Sequence, residues 1–220
     1  MLDAITFLLG GVCHQLPEHS YWVGGQPLPL CARCTGTFLG IWAGLIAPRF
    51  LGRGRRTGLP SGLATWLLGV LAAFWALDGL NSTATMALGR SLYVPSNLLR
   101  LASGAGMGAT LSALVAPMTV LAFGTIEDPS PIVESPGDIA ALVVAAILVV
   151  VAVQFGGWLP YAAWAIALGA AVLGTIGVLN AVLVRLLVPR LGPWGSCLLG
   201  VALALGELAG MAALRRLLQI

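Results

Sequence analysis

The residues that could do chemistry are concentrated near the start of the chain. Three of the four cysteines and both histidines, His14 and His19, lie between residues 13 and 34. Thiolate and imidazole are ligands that zinc, copper and iron take in proteins. A Cys-x-x-Cys pair is also the usual unit of thiol–disulfide exchange. The segment therefore predicts either a metal site or thiol redox chemistry.

The metal interpretation predicts a site with three thiol ligands and one imidazole, and zinc is the metal that we expect. Its Cys-x-x-Cys half is a common half of a structural zinc site. Because neighbours in sequence rarely bind one metal ion, His19 or Asp78 is an alternative fourth ligand, with His14 supporting the others. Ligand type alone does not separate zinc from copper or iron. The expected metal ligands are Cys13, His14, Cys31 and Cys34.

Two other interpretations of the cysteines stay open. In one, Cys31 and Cys34 form a redox pair, with Cys13 as a third partner. In the other, the cysteines form a plain structural disulfide on an oxidising side of a membrane. Arg33 lies between the two thiols and favours thiolates electrostatically, which suits metal binding and redox chemistry equally.

The composition indicates an integral membrane protein. Hydrophobic residues make up 59% of the chain and charged residues 9%, whereas a soluble domain carries about 25% charged residues. The formal net charge is only +3, and every basic residue is an arginine. These arginines fall near predicted helix ends, which argues against a nucleic-acid partner. The expected partner is the lipid bilayer.

Six apolar stretches are long enough, at about twenty residues each, to cross a bilayer. We therefore predict an all-α fold, a polytopic transmembrane helical bundle of about six spans. Residues 1–12 contain no basic residue, so they predict a retained short N-terminal helix, followed by a cysteine-containing loop, rather than a cleaved signal. The predicted spans are roughly residues 31–48, 61–80, 97–122, 138–158, 161–187 and 194–214.

The placement of arginines predicts the orientation. The densest basic cluster follows the first span, at residues 48–56, and cytoplasmic loops carry the excess of basic residues. The cysteine segment should then face the extracytoplasmic side of a prokaryotic cytoplasmic membrane. Under this topology Arg215 and Arg216 also fall on the outer side, against the rule that basic residues favour the cytoplasmic side.

Polar residues three apart in two later spans form a second group. Residues with this spacing share one face of a helix, and the topology places both pairs at the outward helix ends, at the depth of the Cys31/Cys34 pair. Ionisable groups within spans are expensive and usually functional, although a purely structural Asp78–Arg100 ion pair is an equal alternative. The candidate catalytic residues lining this pocket are Asp78, Asn81, Asn97 and Arg100.

A change in composition near residue 124 predicts three segments. Residues 1–123 form the module with the Cys/His site and three spans. Residues 124–137 form a polar loop, and residues 138–220 form C-terminal transmembrane helices that support the module.

Five short motifs resemble one known family. The pattern is Cys-His-Gln, Pro-x-x-Ser, Cys-x-Arg-Cys-Thr-Gly, Asp-Gly and Asn-x-x-Arg, and it covers about residues 10–110. It is similar to that of the uncharacterised prokaryotic membrane proteins grouped as domain of unknown function 2085. This chain departs from it at His19, where the family has Arg, and at Asn81-Ser82, where it has Thr-Gln. The motifs are Cys13-His14-Gln15, Pro17 with Ser20, Cys31 to Gly36, Asp78-Gly79 and Asn97 with Arg100.

Because the resemblance implies residues and no activity, three functions remain. The first is an outward metal site, where metal-activated water attacks a lipid-borne or interfacial substrate and Arg100 holds an anionic group. The second is a membrane thiol oxidoreductase coupled to a quinone. The third is a non-enzymatic subunit or assembly factor that works with other membrane subunits. Whether the protein is an enzyme stays open.

Overall fold

The computed structural model describes residues 1–124 and 127–218, and it confirms an all-α helical bundle. Seven α-helices make up most of the described chain, and the first of them is the predicted short N-terminal helix. Residues 125–126 of the predicted polar loop and residues 219–220 of the C-terminal segment lie outside the described ranges. The helices are α1 Leu2–Leu9, α2 Ala32–Phe50, α3 Leu63–Leu88, α4 Asn97–Phe123, α5 Pro136–Phe155, α6 Tyr161–Leu187 and α7 Gly192–Leu218.

Two small strand pairs join the loops, and neither follows from the hydropathy pattern. Strands β1 (Trp22–Val23) and β2 (Gln26–Pro27) form an antiparallel hairpin, whose two turn residues are glycines with positive φ, 58° and 76°. Strands β3 (Arg56–Gly58) and β4 (Asp128–Pro131) pair in parallel. The second pair ties the loop after α2 to the segment before α5.

Helices α3 to α7 are each long and apolar enough to cross a membrane. Helix α2 has only 19 residues and carries an arginine near each end, so the prediction of about six spans is approximate. Helix α3 extends to Leu88, beyond the predicted end near residue 80. In its polar last turns the hydroxyls of Thr83 and Thr85 find acceptors within the helix, the carbonyls of Gly79 and Asn81. Asn81 lies within this helix and is buried.

Helix α2 packs on α4 along a seam of glycines. A Cβ atom added to Gly36 would overlap the carbonyl oxygen of Leu101, and one added to Gly104 would overlap that of Arg33. Small residues let membrane helices approach closely, so that dispersion contacts hold them together. Gly104 therefore has a packing role, and the seam fixes the start of α2 against the start of α4.

The six long helices alternate in direction, which gives the bundle two ends. At the cysteine end, defined by the starts of α2 and α4, Arg215 of α7 donates to the carbonyl of Cys13 at 2.5 Å. At the arginine end, defined by residues 49–56 and the start of α5, Arg53 Nε donates to Asp138 Oδ1 at 3.1 Å. Arg215 thus lies at the cysteine end, as the predicted topology expects.

Candidate metal centre

Three cysteine sulfurs meet at the cysteine end. Cys13 lies in the loop after α1, Cys31 precedes the first residue of α2, and Cys34 lies in its first turn. Their Sγ atoms all lie within 4.8 Å of one another. All three are free thiols, and Cys13 is buried. The structure therefore brings together three of the four predicted metal ligands.

A tight turn directs the Cys13 sulfur inward. The backbone N–H groups of Gln15 and Cys31 donate to Cys13 Sγ at 3.4 Å and 3.2 Å. Gln15 has a φ of 55°, which is uncommon outside glycine. Its side-chain Nε2 offsets that cost by donating to the carbonyls of Thr6 at 2.8 Å and Pro29 at 3.0 Å. The Cys-His-Gln motif is thus a turn that presents a sulfur atom.

The cysteines of the cluster shift one another's pKa values. Hydrogen bonds from the thiols of Cys13 and Cys34 hold the pKa of Cys31 well below its usual range, and the positive charge of Arg33 adds to the effect. The pKa of Cys13 is raised, chiefly because its thiol donates to Cys31 and because it is buried. Cys31 also lies at the positive end of the α2 dipole. The cluster is a place where one thiolate is stabilised.

The fourth predicted ligand lies apart from the sulfurs. The side chain of His14 is exposed and is outside the group of close ligand atoms. Its carbonyl oxygen accepts from Arg215 Nη2 at 2.6 Å, and the carbonyl of Gly10 accepts from Nη1 at 3.3 Å. Arg216 stacks over Phe7, 4.4 Å from the ring centroid. Arg215 and Arg216 therefore hold the cysteine loop and α1 in place.

A buried carboxylate organises the polar residues beside the cysteines. Asp78 is fully buried, and its Oδ2 accepts from Arg33 Nε at 3.0 Å. Its Oδ1 accepts from the hydroxyl of Tyr93 at 2.7 Å, and Ser103 Oγ donates to Oδ2 at 3.3 Å. The predicted pair of Asp78 with Arg100 is wrong, because the glycine seam brings Arg33 of α2 within reach of α3.

The two predicted asparagines hold loops in place. Asn81 Oδ1 accepts from the backbone N–H of Leu92 at 2.7 Å, and its Nδ2 donates to the carbonyl of Tyr93 at 3.0 Å. Asn97 Nδ2 donates to the carbonyls of Glu18 and Ser20, each at 3.3 Å. Both side chains fix loops that cover the cysteine end.

Arg100 is the buried residue of the predicted polar group whose side chain has the fewest partners. It is only 6% exposed, and its Nη1 donates to Asn97 Oδ1 at 2.9 Å. Its buried Nε has no hydrogen-bond partner among the described residues. With the Asp78 carboxylate held by Arg33, Arg100 forms no ion pair with a described residue.

Comparison with known proteins agrees with the motifs. Residues 13–114 match the family described as "Predicted membrane protein (DUF2085)". The resemblance to DUF2085 is confirmed over these residues. An uncharacterised protein of Methanocaldococcus jannaschii is 29% identical over 107 residues, which cover 49% of this chain and 63% of that relative. The match thus spans less than two thirds of the relative's length, and no solved structure matches the chain.

Residues 13–114, which match the family model, contain the sulfur cluster and the Asp78 network. Two residues of this network, Tyr93 and Ser103, were not predicted. Tyr93 lies in a loop without a recognisable motif, while Ser103 follows Arg100 by three residues and shares its helix face. That spacing was a usable signal for Ser103. Arg215 lies outside the matched residues, and only its conflict with the predicted topology marked it.

Proposed function

We propose that this integral membrane protein binds zinc through Cys13, Cys31 and Cys34, on the extracytoplasmic side of the membrane. The observation that carries the proposal is the separation of the three sulfurs, which lie within 4.8 Å of one another. A tetrahedral site with Zn–S bonds of about 2.3 Å has sulfurs about 3.8 Å apart. The cluster therefore needs little rearrangement to hold the ion.

The surroundings of the sulfurs also suit a metal. Zinc binds thiolates, and the N-terminus of α2 with the two N–H donors to Cys13 Sγ stabilises negative charge on sulfur. The cluster of arginines within residues 48–56 lies at the opposite end and favours a cytoplasmic position for that end. This supports the outward orientation of the cysteines.

Three protein ligands are the usual number in catalytic zinc sites, where water or substrate takes the fourth position. Bound zinc would act there as a Lewis acid that lowers the pKa of water. Asp78, Asn81, Asn97 and Arg100 form the adjacent polar group, in which Arg100 would hold an anionic group of a lipid-borne or interfacial substrate. His14 stays a prediction as fourth ligand, and His14→Ala tests it by zinc content.

The deciding experiment measures metal content and free thiols together, on protein purified in detergent without chelator or reductant. We expect about one zinc per chain, with the cluster thiols protected until the protein is denatured. Cys31→Ser and Cys34→Ser should lose the zinc, whereas Cys197→Ser, at an exposed position of α7, is the matched control and should keep it. Metal-free protein with a disulfide that opens in mild reductant would overturn the proposal.

One observation favours a second function, thiol–disulfide exchange. The lowered pKa of Cys31, at the start of a helix and three residues before Cys34, is typical of an attacking thiol. This function predicts a reversible Cys31–Cys34 disulfide and an activity that tolerates chelators. The same purified samples decide between the two, because zinc binding requires all three thiols to be reduced.

A further inference from the structure

Two arginines at the cysteine end, Arg33 and Arg100, differ in how many hydrogen bonds their side chains make. A guanidinium has five N–H donors. Arg33 uses Nε and Nη2 on the Asp78 carboxylate, and Nη2 also donates to Ser82 Oγ at 2.9 Å. Arg100 is only 6% exposed, yet among the described residues its guanidinium makes one hydrogen bond, to Asn97 Oδ1. It forms no ion pair with a carboxylate of a described residue.

The nearby acids do not neutralise Arg100. The Asp78 carboxylate is already bonded to Arg33, Tyr93 and Ser103. Glu18 is exposed, and it offers only its backbone carbonyl, which accepts from Asn97. A buried cation without a close counter-charge is unfavourable. An anion bound at the guanidinium would therefore lower the cost of burying Arg100.

The loop at residues 17–20 covers the start of α4. Burial lowers the pKa of His19 in this loop, and the positive charge of Arg100 lowers it further, while Glu18 and Cys31 act in the opposite direction. Asn97 fixes this loop through the carbonyls of Glu18 and Ser20, and it also orients the Arg100 guanidinium.

We propose that Arg100 binds a phosphate group beside the cysteine cluster, with Asn97 holding the guanidinium in place. The unused donors of Arg100 form the planar fork that pairs with two phosphate oxygens. We choose phosphate because α4 is a candidate span that begins at Asn97, and the end of a span is where lipid headgroups are expected. The inference rests on the proposed function only in placing this phosphate next to a metal.

The first test titrates detergent-solubilised protein with inorganic phosphate, against sodium chloride of equal ionic strength, and follows the unfolding temperature. Phosphate should raise the unfolding temperature of the wild type. Arg100→Gln should abolish the shift, and Arg100→Lys, which keeps the charge without the fork, should need at least tenfold more phosphate. Arg90→Gln, an equal charge loss at an exposed position after α3, should respond like the wild type.

A second arm identifies where the phosphate comes from. Protein reconstituted with phosphatidylglycerol is washed in detergent, and the lipid phosphorus retained per chain is measured. A lipid phosphate at this site predicts more retained phosphorus in the wild type than in Arg100→Gln, and its release by inorganic phosphate. A free phosphate predicts equal retention with the thermal shift kept. Equal behaviour of wild type and Arg100→Gln in both arms would overturn the inference.

Zinc content measured on every sample separates the two proposals. If the protein carries no zinc as purified and still responds to phosphate, the phosphate site is supported and the metal site is overturned. Zinc that is present in the wild type and lost in Arg100→Gln, with no phosphate response in the wild type, overturns the phosphate site, because Arg100 then only balances the charge of the metal cluster.

Discussion

The two ends of the bundle handle their polar groups differently. At the arginine end, Arg56 lies 3.8 Å from each of three carboxylates, and Arg53 reaches Asp138 at 3.1 Å. At the cysteine end, Arg33 and Asp78 neutralise each other, but three thiols and Arg100 have few partners. Both ends fasten loops, but since unpaired buried groups are costly, the contrast supports our proposal that the cysteine end binds ligands. The three carboxylates belong to Asp128, Glu134 and Asp138.

Breaking the buried pair at the cysteine end should have the largest effect on folding. Asp78→Asn leaves Arg33 as a buried cation with weaker acceptors, so we expect a loss of about 3–5 kcal/mol in the free energy of unfolding. Denaturant titration in detergent measures it. Glu127→Gln, at an exposed position of the arginine end, is the control and should change little. A loss below about 1 kcal/mol would mean that solvent reaches this pair.

The glycine seam links the folding of the bundle to the geometry of the cysteine end. Gly104→Ala forces α2 away from α4, because the new methyl group meets the Arg33 backbone. We expect a loss of about 1–3 kcal/mol from overpacking and faster labelling of Cys34 by a thiol reagent. Gly206→Ala in α7, where a Cβ atom meets nothing within 4 Å, should be neutral. Equal stability of the two variants would contradict the seam.

At the arginine end, the buried carboxylate of Asp138 should affect the stability of the protein but not its zinc content. Asp138 Oδ2 accepts from the backbone N–H groups of Glu134 and Ser135 at 3.2 Å and 3.0 Å, which completes a capping box at the start of α5. Asp138→Asn should cost about 1–2 kcal/mol in the free energy of unfolding, with zinc content unchanged. A loss of zinc in this variant would show that the two ends are coupled.

Hydropathy and spacing predicted the helices and the end of the bundle at which the polar residues meet, because both depend on distance along the chain. They could not predict which faces meet. Asp78 pairs with Arg33 rather than Arg100 because the glycine seam sets the lateral position of α2. Tyr93 was missed because its loop, 15 residues after Asp78, carries no recognisable motif. Arg215 was missed because it lies 202 residues from Cys13 in the sequence. The sulfur cluster was predictable because motif spacing and topology agreed.

The smallest effect that we predict is a difference in reactivity between Cys31 and Cys13 at the cysteine end. The pKa of Cys31 is lowered and that of Cys13 is raised, so in metal-free protein Cys31 stays a thiolate as the pH falls from 8 to 6, while Cys13 stays protonated. Iodoacetamide should therefore modify Cys31 at least tenfold faster than Cys13 at pH 6, a difference of about 1.4 kcal/mol. Peptide mapping by mass spectrometry measures both rates. A Cys31 rate that falls about tenfold per pH unit in this range, as for an ordinary thiol with a pKa of about 8.5, would show that the cluster does not stabilise its thiolate.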